Sequence, residues 1–328
     1  MNTSYDKSAA VVVLPAVSAA DLTDSSLRSW LVRSDLSRDA QTDELLARIT
    51  RATGLPYPEE GLGALRFWGQ TGERPTVWMA AADPVYLEPR LDFLWLHALA
   101  QDDIAPADLG GLIDHLQLTL GDDQRSGFTR LGAYSYLRSS TALATAGVSA
   151  AVVDQCNPGD YLPDGPASAA YRNLLSEIEM ALHEHEINER RLAAGQQPVN
   201  SLWIWGGGVA PPEVSRHQAR LFSDDPLLLG YWASASAPAS AWPGDIASCL
   251  DAASEGFVAV VPPHQHDAES LPDILARLRR ALRAGRVSQL TLLFGDGLQA
   301  SIRRSHVYRL WRRDRTLLAT VARPSAAT

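Results

Sequence analysis

Apolar and polar positions divide this chain into strands and helices before any single residue stands out. Residues 10–14, AVVVL, form a β-branched apolar run stopped by Pro15, the pattern of a buried strand. LTDSSLRSWLVRS follows, with Leu22, Leu27, Trp30 and Leu31 close to one helical face and Asp21 or Thr23 placed to cap it. TDELLARITRATGL predicts a second helix, capped by Thr42 and closed near Gly54. RPTVWMAAADPVYLEP predicts a strand that turns at ADPVYLEP, residues 82–89, and RLDFLWLHAL continues as strand. APADLGGLIDHLQLTLG predicts a helix ending near Gly121, and GFTRLGAYSYLRSS alternates as antiparallel strands do.

A loop at 156–168 leads into a long predicted helix over about 167–194, with Leu174, Leu175, Ile178, Leu182 and Ile187 as its apolar stripe. SLWIWGGG and GFVAVVPP are predicted strands. LPDILARLRRALRAG is a predicted helix with Pro272 in its first turn and Gly285 past its end. VSQLTLLFGDG and QASIRRS pair as a hairpin across Gly295, Asp296 and Gly297. The small-residue stretch at 232–245 is expected as a surface loop. Strands and helices alternate at both ends while the middle is antiparallel in character, which predicts a layered α/β sheet.

Composition narrows the function classes. The chain has 328 residues, 46% of them hydrophobic, enough for about two domains. The net charge of -9 argues against general nucleic-acid affinity. Lys7 is the one lysine among many arginines. Arginine suits bidentate grip on carboxylate or phosphate, so the bias is compatible with an anionic ligand. Cys156 and Cys249 form no Cys-x-x-Cys pair, which excludes a zinc ribbon or a dithiol redox motif. With no long apolar run and no export signal, the expectation is a cytoplasmic, soluble protein without a membrane partner.

Single motifs carry little chemistry. His183 and His185 are two apart, so on a regular helix they point about 200° apart and cannot share a metal. Arg190 and Arg191 complement the end of that helix. His264, His266 and Asp267 follow a strand and are candidate metal ligands, or else a polar loop with a helix cap. The glycines at 206–208 lack a nucleotide-binding pattern, which leaves a turn or close packing. Gly-x-Ser-x-Gly is absent.

Taken as one unit, residues 183–208 resemble a segment of the archaeal type of cofactor-independent phosphoglycerate mutase, in the alkaline phosphatase superfamily. That family has His-Pro-Val-Asn, basic residues, Gly-x-x-Pro-Ala-Asn and a strand ending Trp-Leu-Trp-Gly. Here His185, Ile187 and Asn188 match the first part, with Glu186 for proline. Gly195, Pro198 and Asn200 match the second, and Trp203, Trp205, Gly206 and Gly208 the strand. DYLPDG at 160–165 resembles a family loop. Asp83, Pro84, Val85 and Leu87 resemble an Asp-Pro-Val-His-Leu turn in a bacterial branch described as regulatory proteins of a pathogenicity-factor cluster, with Tyr86 for histidine. HVYRLWRR at 306–313 is similar to that branch's C-terminal segment.

The resemblance implies an alkaline-phosphatase-like layered α/β sheet, residues 1–75 and 196–328, with a smaller inserted α+β domain at 76–195. It also implies a pocket for a small phosphorylated or carboxylated acid, built from His185, Asn188, Arg191, Asn200, Asp83 and Arg138. Active members of the family bind two divalent metals and carry the phosphoryl group on serine or threonine. This chain departs from them: Pro15 and Ala16 stand where the first strand should lead into Asp-Gly. The expectation is therefore a regulatory or anion-binding protein without cofactor. The rival is an active mutase or phosphatase with two metals such as Mn or Zn on a divergent site using Asp21, His264, His266 or Asp267. A protein partner is a further expectation, with Trp232 and Trp242 as its contacts if exposed.

Overall fold

The computed structural model describes residues 9–18, 21–38, 44–91, 93–122, 125–253, 255–263 and 269–312. The chain folds into two compact units, Met1–Tyr57 with Val214–Asp225 and Ala235–Thr328, and Pro58–Glu213 with Pro226–Ser234. The first unit opens with β1 (Ala9–Leu14), α1 (Ser25–Val32), β2 (Asp35–Arg38) and α2 (Leu45–Thr53). The second unit then runs α3 (Leu62–Thr71), β3 (Trp78–Pro89), β4 (Leu94–Ala98), α4 (Pro106–Leu120), β5 (Ser126–Leu131), β6 (Tyr134–Ser139), α5 (Ala150–Val153), α6 (Pro166–Leu182), α7 (Glu186–Ala193) and β7 (Ser201–Gly208). β8 (Arg220–Phe222) returns to the first unit, and α8 (Pro226–Ser234) belongs to the second. The first unit ends with β9 (Ala239–Ser240), α9 (Ile246–Ala252), β10 (Phe257–Val260), α10 (Leu271–Ala284), β11 (Gln289–Phe294) and β12 (Leu298–Arg303).

In the first unit a seven-stranded sheet has the order β2-β12-β11-β1-β10-β8-β9. β1 lies parallel between β10 and β11, which is why AVVVL reads as one unbroken apolar run: both of its faces are covered. Val12, Leu14, Phe257, Leu292 and Phe294 are among its core residues. The hairpin of β11 and β12 forms as expected. α10 starts on a Ser270 cap and closes at Gly285 in the left-handed region, φ +81°.

The second unit is built on β3, which pairs antiparallel with β4, β6 and β7 along its twelve residues. β5 and β6 pair antiparallel, as expected. The three glycines after β7's tryptophans serve close packing. A Cβ on Gly208 would lie 2.4 Å from the Gly61 nitrogen, and one on Gly206 2.8 Å from the Leu62 Cβ, so the start of α3 rests directly on β7. α3 meets α8 just as closely: a Cβ on Gly69 would lie 1.9 Å from the Pro226 carbonyl oxygen. None of the described helices is long and apolar enough to cross a membrane.

Several expectations change. The second unit is larger than the expected 76–195: α3 packs against β3 and β7, and α8 packs against α3. The turn expected at 82–89 is extended strand; the residue before a proline favours extended backbone, so Asp83-Pro84 continues β3, and the turn falls at Arg90 and Phe93 instead. The helix expected over 167–194 is two helices, α6 and α7. Asp24, rather than Asp21 or Thr23, caps α1 by accepting from the Ser26 amide. The stretch 232–245 is no simple surface loop: it holds β9, and Trp232 and Trp242 are buried, 0% and 8% exposed, so the exposure that a contact role required of them is not met. Thr42, His264, His266, Asp267 and Arg313 lie outside the described residues.

Candidate functional site

Residues of the mutase-like segment sit in the second unit, where the break between α6 and α7 organises them. Glu184 takes a left-handed φ of +54°, and His185 becomes the cap of α7, its Nδ1 accepting from the Ile187 amide at 3.2 Å. That fixes the neutral ring's proton on Nε2. The ring meets His115 edge-on, with centroids 4.7 Å apart, and the His115 Nε2 lies 3.0 Å from the Ala181 carbonyl oxygen. Burial, and then the neighbouring His115, hold the His185 imidazole below its ordinary pKa.

Asn188 is buried and fully engaged. Its Nδ2 donates to the Val199 carbonyl at 2.8 Å and the Leu182 carbonyl at 3.2 Å, and its Oδ1 accepts from the Val199 amide at 2.9 Å. Arg191, also buried, donates from Nε to the Gln197 carbonyl and from Nη2 to the Asp103 carbonyl. Asn200 accepts from the Leu87 amide at 2.7 Å and donates to the Leu87 carbonyl at 2.9 Å. These side chains clip the segment after α7 to α7 itself and to β3. Their polar atoms hold backbone, which is how the same residue spacing that resembles a ligand pocket serves the fold here.

Asp83 stands elsewhere on β3. Its Oδ1 accepts from the Arg66 Nη1 and its Oδ2 from the Trp205 Nε1, both at 2.6 Å. Arg66, 5% exposed, also donates to the Ser135 carbonyl. Its guanidinium lies 4.9 Å from the ring centroids of Tyr134 and Tyr136 and 5.5 Å from that of Trp205. Tyr136 donates to the Gln70 Oε1, and burial pushes its hydroxyl up to about 12, so it stays neutral. Arg138 is exposed on β6, in register with Met79 of β3. The structure therefore groups Asn188, Arg191 and Asn200 through backbone, sets His185 at the cap beside His115, and gathers Asp83 with Arg66 and Trp205. Arg66 was missed; its trace in the sequence is one charge inside the apolar run LGALRFW.

For a pair of metals, the residues that follow β1 do not supply a ligand set. Pro15 and Ala16 carry no donor side chain. Asp21 directs its Oδ2 at the Ser18 amide and hydroxyl, at 2.8 and 2.6 Å, in a local turn. Among the described residues no group of three or more His, Cys, Asp or Glu gathers.

A cavity of about 400 Å³ lies within the second unit, a volume in the range of small-molecule sites. Its walls include Val85 and Leu87 of β3, Ser201 and Trp203 of β7, and Leu175 and Glu179 of α6. α6 is held over the sheet by the Tyr171 hydroxyl, which donates to the Ile204 carbonyl, and by an edge contact between Tyr171 and Trp203.

Comparison with known proteins gives short matches. No protein-family model matches the chain. It is similar to the 2,3-bisphosphoglycerate-independent phosphoglycerate mutase of Methanosarcina barkeri, 38% identical over 52 residues, 16% of this chain and 13% of that one. It is also similar to a probable enzyme of the same name from Geobacter sulfurreducens, 36% identical over 59 residues, 18% and 15% of the two chains. The chain is thus related to these mutases over a short segment, a small part of their length. Two solved structures align over most of the chain. One is a cofactor-independent phosphoglycerate mutase from Thermoplasma acidophilum, with 15% identity, 90% and 89% coverage and a TM-score of 0.43. The other is the PH0037 protein from Pyrococcus horikoshii, with 14% identity, 91% and 87% coverage and a TM-score of 0.47.

Proposed function

We propose that this chain is a phosphoglycerate-mutase-like protein that binds a small phosphorylated or carboxylated acid and does not transfer its phosphoryl group. The observation that carries the reading is the exit of β1. Phosphoryl transfer needs the charge on the attacking and leaving oxygens neutralised, and in a two-metal site the cations do this. Where β1 ends, Pro15 and Ala16 offer nothing to a cation, and the Asp21 carboxylate is turned onto Ser18. The short segment related to the mutases supports descent from that chemistry.

In this reading the polar clip of Asn188, Arg191 and Asn200 positions the binding surface, and His185 touches the ligand. Its Nε2 has no hydrogen-bond partner among the described residues. The neutral ring already carries its proton on Nε2, so it can donate a hydrogen bond to an anion's oxygen without giving up the cap of α7. Isothermal titration with 3-phosphoglycerate and related acids tests the reading. Saturable heat that weakens in His185→Ala is expected; no heat with any of them contradicts it.

A further inference from the structure

The cavity in the second unit holds polar groups that the fold leaves unanswered. Ser201 is 0% exposed, and its hydroxyl has no hydrogen-bond partner among the described residues. Its neighbour in sequence, Asn200, has both amide atoms bonded to Leu87. A buried hydroxyl without a partner is costly, and most buried polar atoms in folded proteins have one. Across the cavity, Glu179 is half-buried on the apolar stripe of α6, with neither an ion pair nor a hydrogen bond among the described residues. Burial alone raises its carboxyl pKa, with no cation to offset it. The remaining charged group lining the cavity is Arg172, two turns back on α6 and exposed to water. A solvated guanidinium needs no partner; a half-buried carboxyl and a buried hydroxyl gain from one.

The rest of the lining is apolar and aromatic. Leu87, Leu94, Leu162 and Leu175 offer hydrocarbon surface, and Trp203 offers a ring whose own N–H is already donated to the Val148 carbonyl. An occupant must then bring an apolar body and one hydrogen-bond-donating end. A carboxylic acid would set a second negative charge near Glu179. An alcohol would leave the carboxylate without a counter-charge.

We propose that the cavity between α6, β3 and β7 binds a small hydrophobic amine, with its apolar body against Leu87, Leu175 and Trp203 and its ammonium group donating to Glu179 and Ser201. This site is separate from the acid-binding surface proposed above and does not depend on it.

The test uses the full chain at neutral pH and three probes with similar bodies and different ends: 2-phenylethylamine, 2-phenylethanol and 3-phenylpropanoate. Isothermal titration should rank the amine first, by about tenfold over the alcohol, the order of effect of one charge-assisted bond. Glu179→Gln should bring the amine down to the alcohol's affinity and leave the alcohol unchanged, which also shows that the variant is folded. Ser201→Ala should weaken the amine by a smaller factor. Three results overturn the proposal: the acid binding as tightly as the amine, Glu179→Gln leaving amine affinity intact, or no heat with any probe. Absence of 3-phosphoglycerate binding in the same preparation bears on the earlier reading alone.

Discussion

Asn200 and Ser201 are adjacent in the chain and have opposite fates. The amide of Asn200 exchanges two hydrogen bonds with the backbone of Leu87 on β3. The hydroxyl of Ser201 is buried against the same part of β3 and bonds to nothing among the described residues. The contrast extends outward from each. Asn188 and Arg191 continue the saturated side, where side chains replace the backbone partners that an irregular segment lacks. Glu179 and the cavity continue the unsaturated side. Polar residues that look alike in a motif can thus hold the chain together or await a ligand, and only the hydrogen-bond accounting separates them.

The largest effect in this part of the fold should come from the buried ion pair. Arg66→Leu leaves the Asp83 carboxylate without its cation among aromatic rings, and unfolding in urea should show a loss of about 3–5 kcal/mol. Asn188→Ala comes next. It strands the amide of Val199 and two carbonyls, and should cost about 2–4 kcal/mol in the same assay. The direct contrast follows. Asn200→Ala should cost about 1–2 kcal/mol, because it unpairs the backbone of Leu87. Ser201→Ala removes a hydroxyl that had no partner, so the ligand-free protein should stay within about 0.5 kcal/mol of its stability or gain slightly. Equal losses at the two positions would erase the distinction between them.

The smallest effect is one of pH. Burial holds the Glu179 carboxyl above its ordinary pKa, so the folded protein keeps that proton more readily than the unfolded chain does. The stability this group gives is present at low pH and lost as pH rises through the raised value. Glu179→Gln should therefore be slightly more stable than the parent at neutral pH. The gap should close as pH falls below the ordinary glutamate range, as thermal melts across pH would show.

Much of the architecture was legible because its signals are local. AVVVL, the amphipathic LPDILARLRRALRAG and the glycine hairpin after β11 each announce their element, and the structure places each as expected. Gly206 and Gly208 were open to a close-packing reading, which the start of α3 explains. The misreadings lie where distant residues decide. α6 and α7 share one apolar stripe in sequence, but the His185 cap and the left-handed Glu184 part them. Asp83-Pro84 resembles a turn until β7 is seen beside it, pairing Trp203 with Asp83 and Leu202 with Pro84. The structure spreads the six predicted site residues over a clip, a cap, an ion pair and an exposed strand. Ser201 and Glu179 gave no signal, because a serine opening a strand and a glutamate inside a helical stripe are ordinary until their surroundings are known.

The most direct test of a mutase-like protein that binds without turnover is to incubate it with 3-phosphoglycerate and manganese, remove the metal with chelator, and read the phosphorus spectrum. The account predicts 3-phosphoglycerate unchanged, with no 2-phosphoglycerate and no inorganic phosphate above the protein-free control. Growth of either signal in proportion to protein would contradict it.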